Sequence, residues 1–240
     1  MKLVIFAGGF GSRLSEETRL KPKPLVEIGD KPIIWHIMKI YSHHSVKEFI
    51  ICGGYKHQSF VKYFNSIKNQ TDKMGWNIKV VNTGLKTMTG GRLKRIGHLI
   101  KENEDFCLTY GDGLSNVNIK KLISFHKKNK KLATILAVNP PARFGSLLIK
   151  NRKVQKFDEK PLQSENWING GFFILNKQAI KFIKNDQSIW EREPLQNIAK
   201  KKQLFAYKHK GYWAAMDTLR EKNILYDLWK RGKAPWKIWK

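Results

Sequence analysis

The chain of 240 residues is long enough for one α/β domain, and its 41% hydrophobic and 12% aromatic residues exclude disorder by composition. Its 46 Lys and Arg against 19 Asp and Glu give a net charge of +27, which raises nucleic-acid binding as an alternative. Because the lysines are spread along the chain and most aromatic residues follow strand or helix patterns, we expect no specific nucleic-acid partner and a field that attracts phosphorylated small molecules.

The first predicted strand, LVIFA, is too short for the apolar core of a signal peptide. No later run reaches the roughly 18 apolar residues of a membrane span. We therefore expect a cytoplasmic protein with no membrane partner. Cys52 and Cys107 lie within the strand-like runs FIICGG and FCLTY, where free thiols behave as small buried hydrophobes.

Strand and helix patterns alternate along the first half of the chain, with strands over LVIFA, EFIICGG, IKVVN and FCLTY and helices over PIIWHIMKIYSHH, HQSFVKYFNSI and GGRLKRIGHLIK. The second half adds a helix near 119–128, strands over ATILAV, WINGGFFIL and LFAYKH, a hairpin around 150–152, and helices from about 177, over WEREPLQNIAKKK and from about 218. This pattern predicts an α/β fold, a Rossmann-like, mostly parallel mixed sheet flanked by helices, in a single domain over 1–240. Ligands of such sheets bind at the carboxyl ends of the strands.

A glycine-rich loop, AGGFGSR, follows the first predicted strand. Its glycines at 8, 9 and 11 allow backbone N–H groups to approach an anion closely. Leu14 excludes the dinucleotide fingerprint G-x-G-x-x-G, and no Gly-Lys-Ser/Thr closes the loop as a P-loop would require. On these residues alone, an ordinary glycine turn is the alternative.

Two lysines, Lys21 and Lys23, each precede a proline in the segment KPKP. Proline removes a backbone donor and pushes the preceding residue toward an extended conformation. We therefore predict a stiff, non-helical segment that fixes an ammonium group as a phosphate clamp. An edge loop is the alternative for KPKP taken alone.

Two aspartates are candidate metal ligands. Asp112 lies in YGDG, at the carboxyl end of the predicted strand FCLTY, and Asp217 precedes the last predicted helix. Carboxylates suit Mg²⁺, which keeps several waters and bridges phosphate oxygens. The alternatives are an Asx turn for Asp112 and a helix cap for Asp217, although Thr218 and Glu221 have the spacing of a capping box that leaves Asp217 available.

These motifs together resemble one known family. AGGFGSRL followed by KPKPLVEIGDKPII resembles the signature of the sugar-phosphate nucleotidylyltransferases, and further matches follow in order through IICGGYK, TMTGGRLKR, INGGFF, WEREPL, MDTLREK and GKAPWKIW. The later motifs are most similar to members that use CTP and glucose 1-phosphate. The resemblance implies a fold of the nucleotide-diphospho-sugar transferase type, Mg²⁺ as cofactor, and formation of CDP-glucose and pyrophosphate from CTP and α-D-glucose 1-phosphate. UTP or dTTP as the nucleotide donor is the alternative.

The resemblance also implies roles for individual residues. Arg13 and Lys23 are implied as catalytic cations, and Asp112 and Asp217 as metal ligands. Nucleotide binding is implied for Ala7, Gly8, Gly9, Gly11, Ser12, Thr87, Thr89, Arg92 and Gly111. Sugar-phosphate binding is implied for Lys160, Asn169 and Gly170.

A non-catalytic protein that keeps this fold and senses sugar nucleotides is the alternative from another functional class. The joint presence of two cations and two metal-binding carboxylates argues against it, because a sensor needs no metal pair. The resemblance further implies a homo-oligomer. However, the segment between YFNSI and GWNIKV is shorter than in typical cytidylyltransferases, which leaves the oligomeric state open.

Overall fold

A computed structural model describes residues 1–139, 145–159 and 167–239, and it confirms the predicted α/β class. The strands are Lys2–Phe6 (β1), Glu27–Ile28 (β2), Lys31–Pro32 (β3), Glu48–Gly53 (β4), Asn77–Asn82 (β5), Asp105–Tyr110 (β6), Gly113–Ser115 (β7), Ala133–Val138 (β8), Ser146–Lys150 (β9), Lys153–Asp158 (β10), Ile168–Asn176 (β11), Leu204–His209 (β12) and Trp213–Ala215 (β13). The α-helices are Ser15–Thr18 (α1), Ile33–His43 (α2), His57–Ser66 (α3), Lys68–Lys73 (α4), Thr89–Arg95 (α5), Ile119–Asn129 (α6), Glu193–Lys200 (α7) and Leu219–Lys230 (α8). Short 3₁₀ helices cover Ser12–Leu14, Lys23–Leu25, Gly97–Leu99 and Lys177–Phe182.

The central sheet has seven strands in the order β12-β8-β11-β6-β1-β4-β5. Only β11 runs antiparallel to its neighbours, so the sheet is mostly parallel, and β8, β11 and β12 bring the second half of the chain into it as predicted. Strands β1 and β6 are adjacent and in register, with Phe6 opposite Tyr110. The loops that follow these two strands therefore emerge side by side at the carboxyl edge of the sheet.

Side chains of the central strands alternate between two apolar cores, one on each face of the sheet. On β1, Leu3 and Ile5 join the core that contains helix α2, whereas Val4 and Phe6 join the core that contains helices α5 and α7. Burial on both faces explains why the central strands read as continuous apolar runs. Within the described residues, no helix is both long and apolar enough to cross a membrane.

The C-terminal segment packs back onto helix α2 through a cluster of indole rings. Trp236 is fully buried, and its Nε1–H donates to Nδ1 of the fully buried His36, 3.4 Å away. His36 Nε2 lies 2.9 Å from the carbonyl oxygen of Ile28, so the neutral Nε2–H tautomer satisfies both contacts. Burial accordingly lowers the pKa of His36 to about 4.

Four elements differ from the sequence expectation in their type or their ends. The KPKP segment is extended only up to Pro22, because Lys23–Leu25 forms a 3₁₀ turn. The helix predicted over GGRLKRIGHLIK ends at Arg95, and the helix predicted from about 177 is 3₁₀ rather than α. The helix predicted over WEREPLQNIAKKK begins only at Glu193, with Pro194 in its first turn, where proline is tolerated.

The predicted hairpin is present and consists of β9 and β10. Its turn residues Asn151 and Arg152 both have positive φ values, 49° and 65°. Two consecutive left-handed residues are the backbone signature of a type I′ turn, which matches the right-handed twist of paired strands.

Candidate active site

A cavity of about 730 Å³ opens at the carboxyl edge of the sheet. It is lined by the glycine-rich loop after β1, by the turn between β6 and β7, and by residues of β11, β13 and the start of α5. This is the edge at which open α/β sheets bind ligands. The lining includes most of the residues to which the resemblance assigns a role: Ala7, Gly8, Gly9, Gly11, Ser12, Arg13, Lys23, Thr87, Thr89, Arg92, Gly111, Asp112, Asn169, Gly170 and Asp217.

The two candidate metal ligands, 105 positions apart in the chain, converge on one point in this cavity. Lys23 Nζ donates to Asp112 Oδ2 and to Asp217 Oδ1, at 2.6 Å in each case. Burial disfavours the charged ammonium of Lys23, but the attraction and hydrogen bonds of the two carboxylates outweigh that cost and raise its pKa. The lysine therefore stays protonated and reduces the repulsion between the two carboxylates.

The pairing of two short strands brings the two aspartates together. Strands β7 and β13 pair antiparallel, with Gly113 opposite Ala215, and Met216 N–H donates to the Asp112 carbonyl at 2.9 Å. The predicted capping box at the start of α8 is present, because Thr218 accepts from Glu221 N–H and Glu221 in turn accepts from Thr218 N–H. Thr218 therefore caps the helix, and the carboxylate of Asp217 faces Lys23.

Arg13 approaches the same centre from the glycine-rich loop. Its Nη1 donates to Asp217 Oδ2 at 2.8 Å, yet its side chain is 72% exposed. A guanidinium that is anchored at one end and solvated over most of its surface can reorient toward a bound anion. Arg13, Lys23 and the two aspartates together form a charge-balanced cluster in the cavity.

The glycines of the loop serve different purposes. Gly11 adopts a left-handed conformation with φ of +67°, which a β-carbon would strain. A β-carbon on Gly8 would collide with the guanidinium of Arg92. At Gly9, by contrast, a β-carbon would meet nothing within 4 Å, so no contact within the described protein requires glycine there, and the open space beside it is where a ligand can approach the backbone.

Arg92, expected from the resemblance to bind nucleotide, lines the cavity and packs against the glycine-rich loop. It is 4% exposed, and its Nη1 lies 3.1 Å from Gly53 O, 2.7 Å from Thr83 Oγ1 and 2.9 Å from Gly84 O. Its Nη2 donates to Gly8 O at 3.0 Å. Burial lowers the pKa of this guanidinium. Arg92 thus ties the glycine-rich loop to the residues at the ends of β4 and β5, and it also lines the cavity.

The glycine pair of TMTGGRLKR also has a structural purpose that the sequence did not reveal. A β-carbon on Gly90 or Gly91 would collide with the backbone of residues 186–188. Gly91 N–H already donates to Ser188 O at 3.2 Å, so it does not point at the cavity. Of the neighbouring threonines, Thr87 is 6% exposed, and Thr89 donates its hydroxyl proton to Glu191 Oε2 at 2.7 Å.

The cavity also contains two of the three residues expected to bind the sugar phosphate, Asn169 and Gly170. Asn169 Oδ1 accepts from Gly171 N–H at 2.7 Å, and its Nδ2 donates to the Tyr110 hydroxyl at 3.3 Å. Gly170 O accepts from Trp213 Nε1 at 2.7 Å. Lys160, the third residue expected here, lies outside the described residues.

The cavity residues that the sequence did not single out include Tyr110, Glu191 and Trp213. Glu191 lies in WEREPL, a motif that carried the resemblance but received no role. Gly111 lines the cavity too, but its N–H donates to Phe6 O at 3.0 Å, and a β-carbon there would contact Pro24. Glycine at this position therefore allows close packing against Pro24 and the end of β1.

The residues at the centre fit a hard divalent cation. Two carboxylates already share one cationic group, and Mg²⁺ commonly takes one or two carboxylates and completes its shell with water and substrate phosphates. Within the described residues, no group of three or more His, Cys, Asp or Glu could hold a metal ion. An ion at Asp112 and Asp217 would therefore need ligands from outside the described protein, as a phosphate-bridging metal does.

Comparison with known proteins identifies what the chain is similar to. A sequence model described as nucleotidyl transferase matches residues 2–219. Glucose-1-phosphate cytidylyltransferase of Salmonella typhimurium is 50% identical over 256 aligned positions that cover all of both chains. The crystal structure of HddC from Yersinia pseudotuberculosis has a TM-score of 0.72 at 25% identity and covers 95% of this chain and 99% of its own. A UDP-glucose pyrophosphorylase solved with UDP-glucose shares the fold, with a TM-score of 0.74 at 19% identity over 96% of this chain and 98% of its own.

Proposed function

Because the chain belongs to the nucleotidyl transferase family, we propose that it joins CTP and α-D-glucose 1-phosphate to give CDP-glucose and pyrophosphate. The convergence of Asp112, Asp217 and Lys23 in one cavity is the observation that carries the proposal. Half of the residues are identical to those of the Salmonella cytidylyltransferase over the full length of both chains, which supports CTP and glucose 1-phosphate as the substrates.

The proposed reaction needs charge neutralisation rather than a catalytic base. A phosphate oxygen of the sugar phosphate attacks the α-phosphorus of CTP in line, and that oxygen is already anionic at neutral pH. Arg13, exposed and anchored at one end, neutralises the departing pyrophosphate. Lys23 holds the α-phosphoryl region from the floor of the cavity, where it is largely buried and its charge is little screened.

Mg²⁺ is the proposed cofactor, held by Asp112 and Asp217. When bound, it supplies positive charge to the phosphate oxygens of both substrates. The protein's contribution is to fix the two carboxylates, through the β7–β13 pairing and the capped start of α8, so that they face each other before any ligand arrives. The glycine-rich loop, held from below by Arg92, presents its backbone at Gly9 to the nucleotide phosphates.

Several further features belong to the same proposal. The whole chain acts as one nucleotidylyltransferase domain that works as a homo-oligomer in the cytoplasm, where nucleoside triphosphates are made. The net charge of +27 favours encounter with anionic substrates. A sensor without catalysis is disfavoured because it would not need two carboxylates placed to share a cation.

A nucleotide panel tests the proposal. Pyrophosphate release is measured with glucose 1-phosphate and Mg²⁺ in the presence of CTP, UTP, dTTP or ATP, each at the same concentration. We expect kcat/KM for CTP to exceed that for every other nucleotide by about tenfold or more, a discrimination within reach of a site that reads a base by hydrogen bonds. Preference for UTP or dTTP would overturn the cytidylyl assignment, and release with none of them would overturn the enzyme assignment.

A further inference from the structure

The cavity contains a third carboxylate, Glu191, to which the proposed reaction assigns no task. Its Oε1 accepts from the Tyr110 hydroxyl at 2.6 Å and its Oε2 accepts from the Thr89 hydroxyl at 2.7 Å. Both oxygens are therefore held by neutral donors. No Lys or Arg among the described residues forms an ion pair with it, in contrast to Asp112 and Asp217, which Lys23 neutralises.

An ionised carboxylate accepts hydrogen bonds and donates none, so Glu191 fixes the direction of its neighbours' hydrogen bonds. Tyr110 must give its only proton to Glu191, which leaves the phenolic oxygen as an acceptor for Asn169 Nδ2, 3.3 Å away. Burial and the charge of Glu191 both raise the pKa of Tyr110, so the phenol keeps that proton.

The same chain of hydrogen bonds orients the carboxamide of Asn169. Its oxygen accepts from Gly171 N–H at 2.7 Å, and one hydrogen of its Nδ2 is directed at Tyr110. The remaining Nδ2 hydrogen of this exposed side chain is available to a ligand. A sugar hydroxyl oxygen can accept that hydrogen bond without carrying a charge.

Charge further restricts what can bind beside Glu191. An anionic substituent placed there would face a carboxylate that forms no ion pair among the described residues and whose two oxygens are held by hydroxyl donors. The phosphates of a ligand instead find Arg13 and Lys23 near the aspartate pair. Glu191 thus favours one orientation of a sugar phosphate, with the phosphate toward the cations and neutral hydroxyls toward Asn169 and Tyr110.

We propose that Glu191 is a positioning and specificity-determining residue that restricts the acceptor to aldose 1-phosphates whose ring substituents are uncharged. It acts through Tyr110 and Asn169 on the sugar hydroxyls, and through its own charge against a second anionic group. This inference rests on the proposed function and names the substrate class of the same site.

The test compares the near-isosteric variant Glu191→Gln with wild type on two acceptors, glucose 1-phosphate and glucuronic acid 1-phosphate, with CTP and Mg²⁺. Wild type should prefer the uncharged sugar by about 100-fold in kcat/KM. In Glu191→Gln we expect KM for glucose 1-phosphate to rise about tenfold, while KM for CTP changes less than twofold. The ratio of kcat/KM for glucose 1-phosphate to kcat/KM for glucuronic acid 1-phosphate should fall about tenfold. Glu193→Gln is the matched control, because Glu193 lies two positions away, is exposed and pairs with Lys184; it should match wild type.

A second variant keeps the inference open to refutation if Glu191→Gln does not fold. Tyr110→Phe removes the hydroxyl and keeps the ring, so it should raise KM for glucose 1-phosphate. The kcat/KM ratio between the uncharged and the charged sugar should stay as in wild type, because Glu191 keeps its charge. An unchanged preference in folded Glu191→Gln, or an unchanged sugar KM in Tyr110→Phe, overturns the inference while leaving the proposed function intact. Failure of wild type to use glucose 1-phosphate overturns the proposed function, and the inference with it.

Discussion

Lys23 illustrates how a single residue can hold a site together before any ligand binds. Its ammonium lies 2.6 Å from one oxygen of each aspartate, and its side chain is only 11% exposed. Without it, two carboxylates would face each other at close range in a weakly screened cavity and repel each other. The sequence predicted Lys23 as a phosphate clamp, but not this pairing, because the aspartates come from distant segments.

We predict that Lys23→Met lowers kcat/KM by at least about 100-fold, the usual cost of losing a charged contact to a transferring group. The matched control is Lys21→Met, two positions earlier in the same KPKP segment, whose Nζ pairs only loosely with the exposed Glu27 at 3.4 Å. The control should stay within about threefold of wild type in the pyrophosphate-release assay. Activity of Lys23→Met within that same range would contradict the role given to this lysine.

Arg92 marks the limit of residue-level prediction. Its type and position match the family motif, but its acceptors lie in three other segments, at Gly8, Gly53 and residues 83–84. A motif gives residue types and their spacing, but not the contacts that each side chain makes in the fold. The aspartates, Lys23 and Arg13, to which the resemblance assigned roles, all line one cavity.

At the scale of elements, glycines that look alike in the sequence are needed for different physical reasons. Gly91 permits helix α5 to lie directly against residues 186–188, whereas Gly9 has open space around it. Strand positions were predicted well because buried central strands are continuous apolar runs. Helix ends were predicted less well, since α5 is only seven residues long and its end is set by tertiary contacts that propensity does not encode.

Substituting alanine at these two glycines should separate packing from ligand approach. Gly91→Ala forces its β-carbon into the backbone at Asp186 and should destabilise the fold by about 2–4 kcal/mol in urea unfolding. Gly9→Ala should leave the free energy of unfolding within about 0.5 kcal/mol of wild type and raise KM for CTP. Equal stability of the two variants would contradict the contacts assigned to α5.

Docking of the C-terminal segment onto α2 should depend on pH through His36. The folded protein keeps this ring neutral down to about pH 4, whereas an unfolded histidine takes up its proton near pH 6.5. Between these values the unfolded state binds more protons, so stability falls as the pH is lowered, by up to about 3 kcal/mol from this residue.

Urea unfolding at several pH values between 4.5 and 7.5 measures this dependence. His36→Gln should be less stable than wild type at pH 7.5, and the difference between the two proteins should shrink toward pH 4.5. Other buried histidines add to the slope of both proteins alike, so the comparison isolates His36. Parallel curves for the two proteins would show that His36 is not the titrating group.

At the scale of the whole molecule, the order and pairing of the strands bring the residues of the candidate site together. The β1–β6 register places the glycine-rich loop beside the Asp112 turn, and the β7–β13 pairing folds the distant Asp217 segment back onto that turn. The alternation of strands and helices predicted the sheet and the edge at which the cavity opens. It did not predict β7 or β13, because strands of three residues carry too little pattern to recognise.

The central claim is that Asp112 and Asp217 act on one divalent ion. Mn²⁺ binding followed by electron paramagnetic resonance, with saturating CDP-glucose, tests it most directly. We predict one ion per chain in wild type and in the control Asp186→Asn, an exposed aspartate that pairs with Arg95 outside the cavity. Asp112→Asn and Asp217→Asn should each weaken binding by tenfold or more, a loss of about 1.4 kcal/mol or greater. Wild-type Mn²⁺ affinity in either of these two variants would contradict the claim.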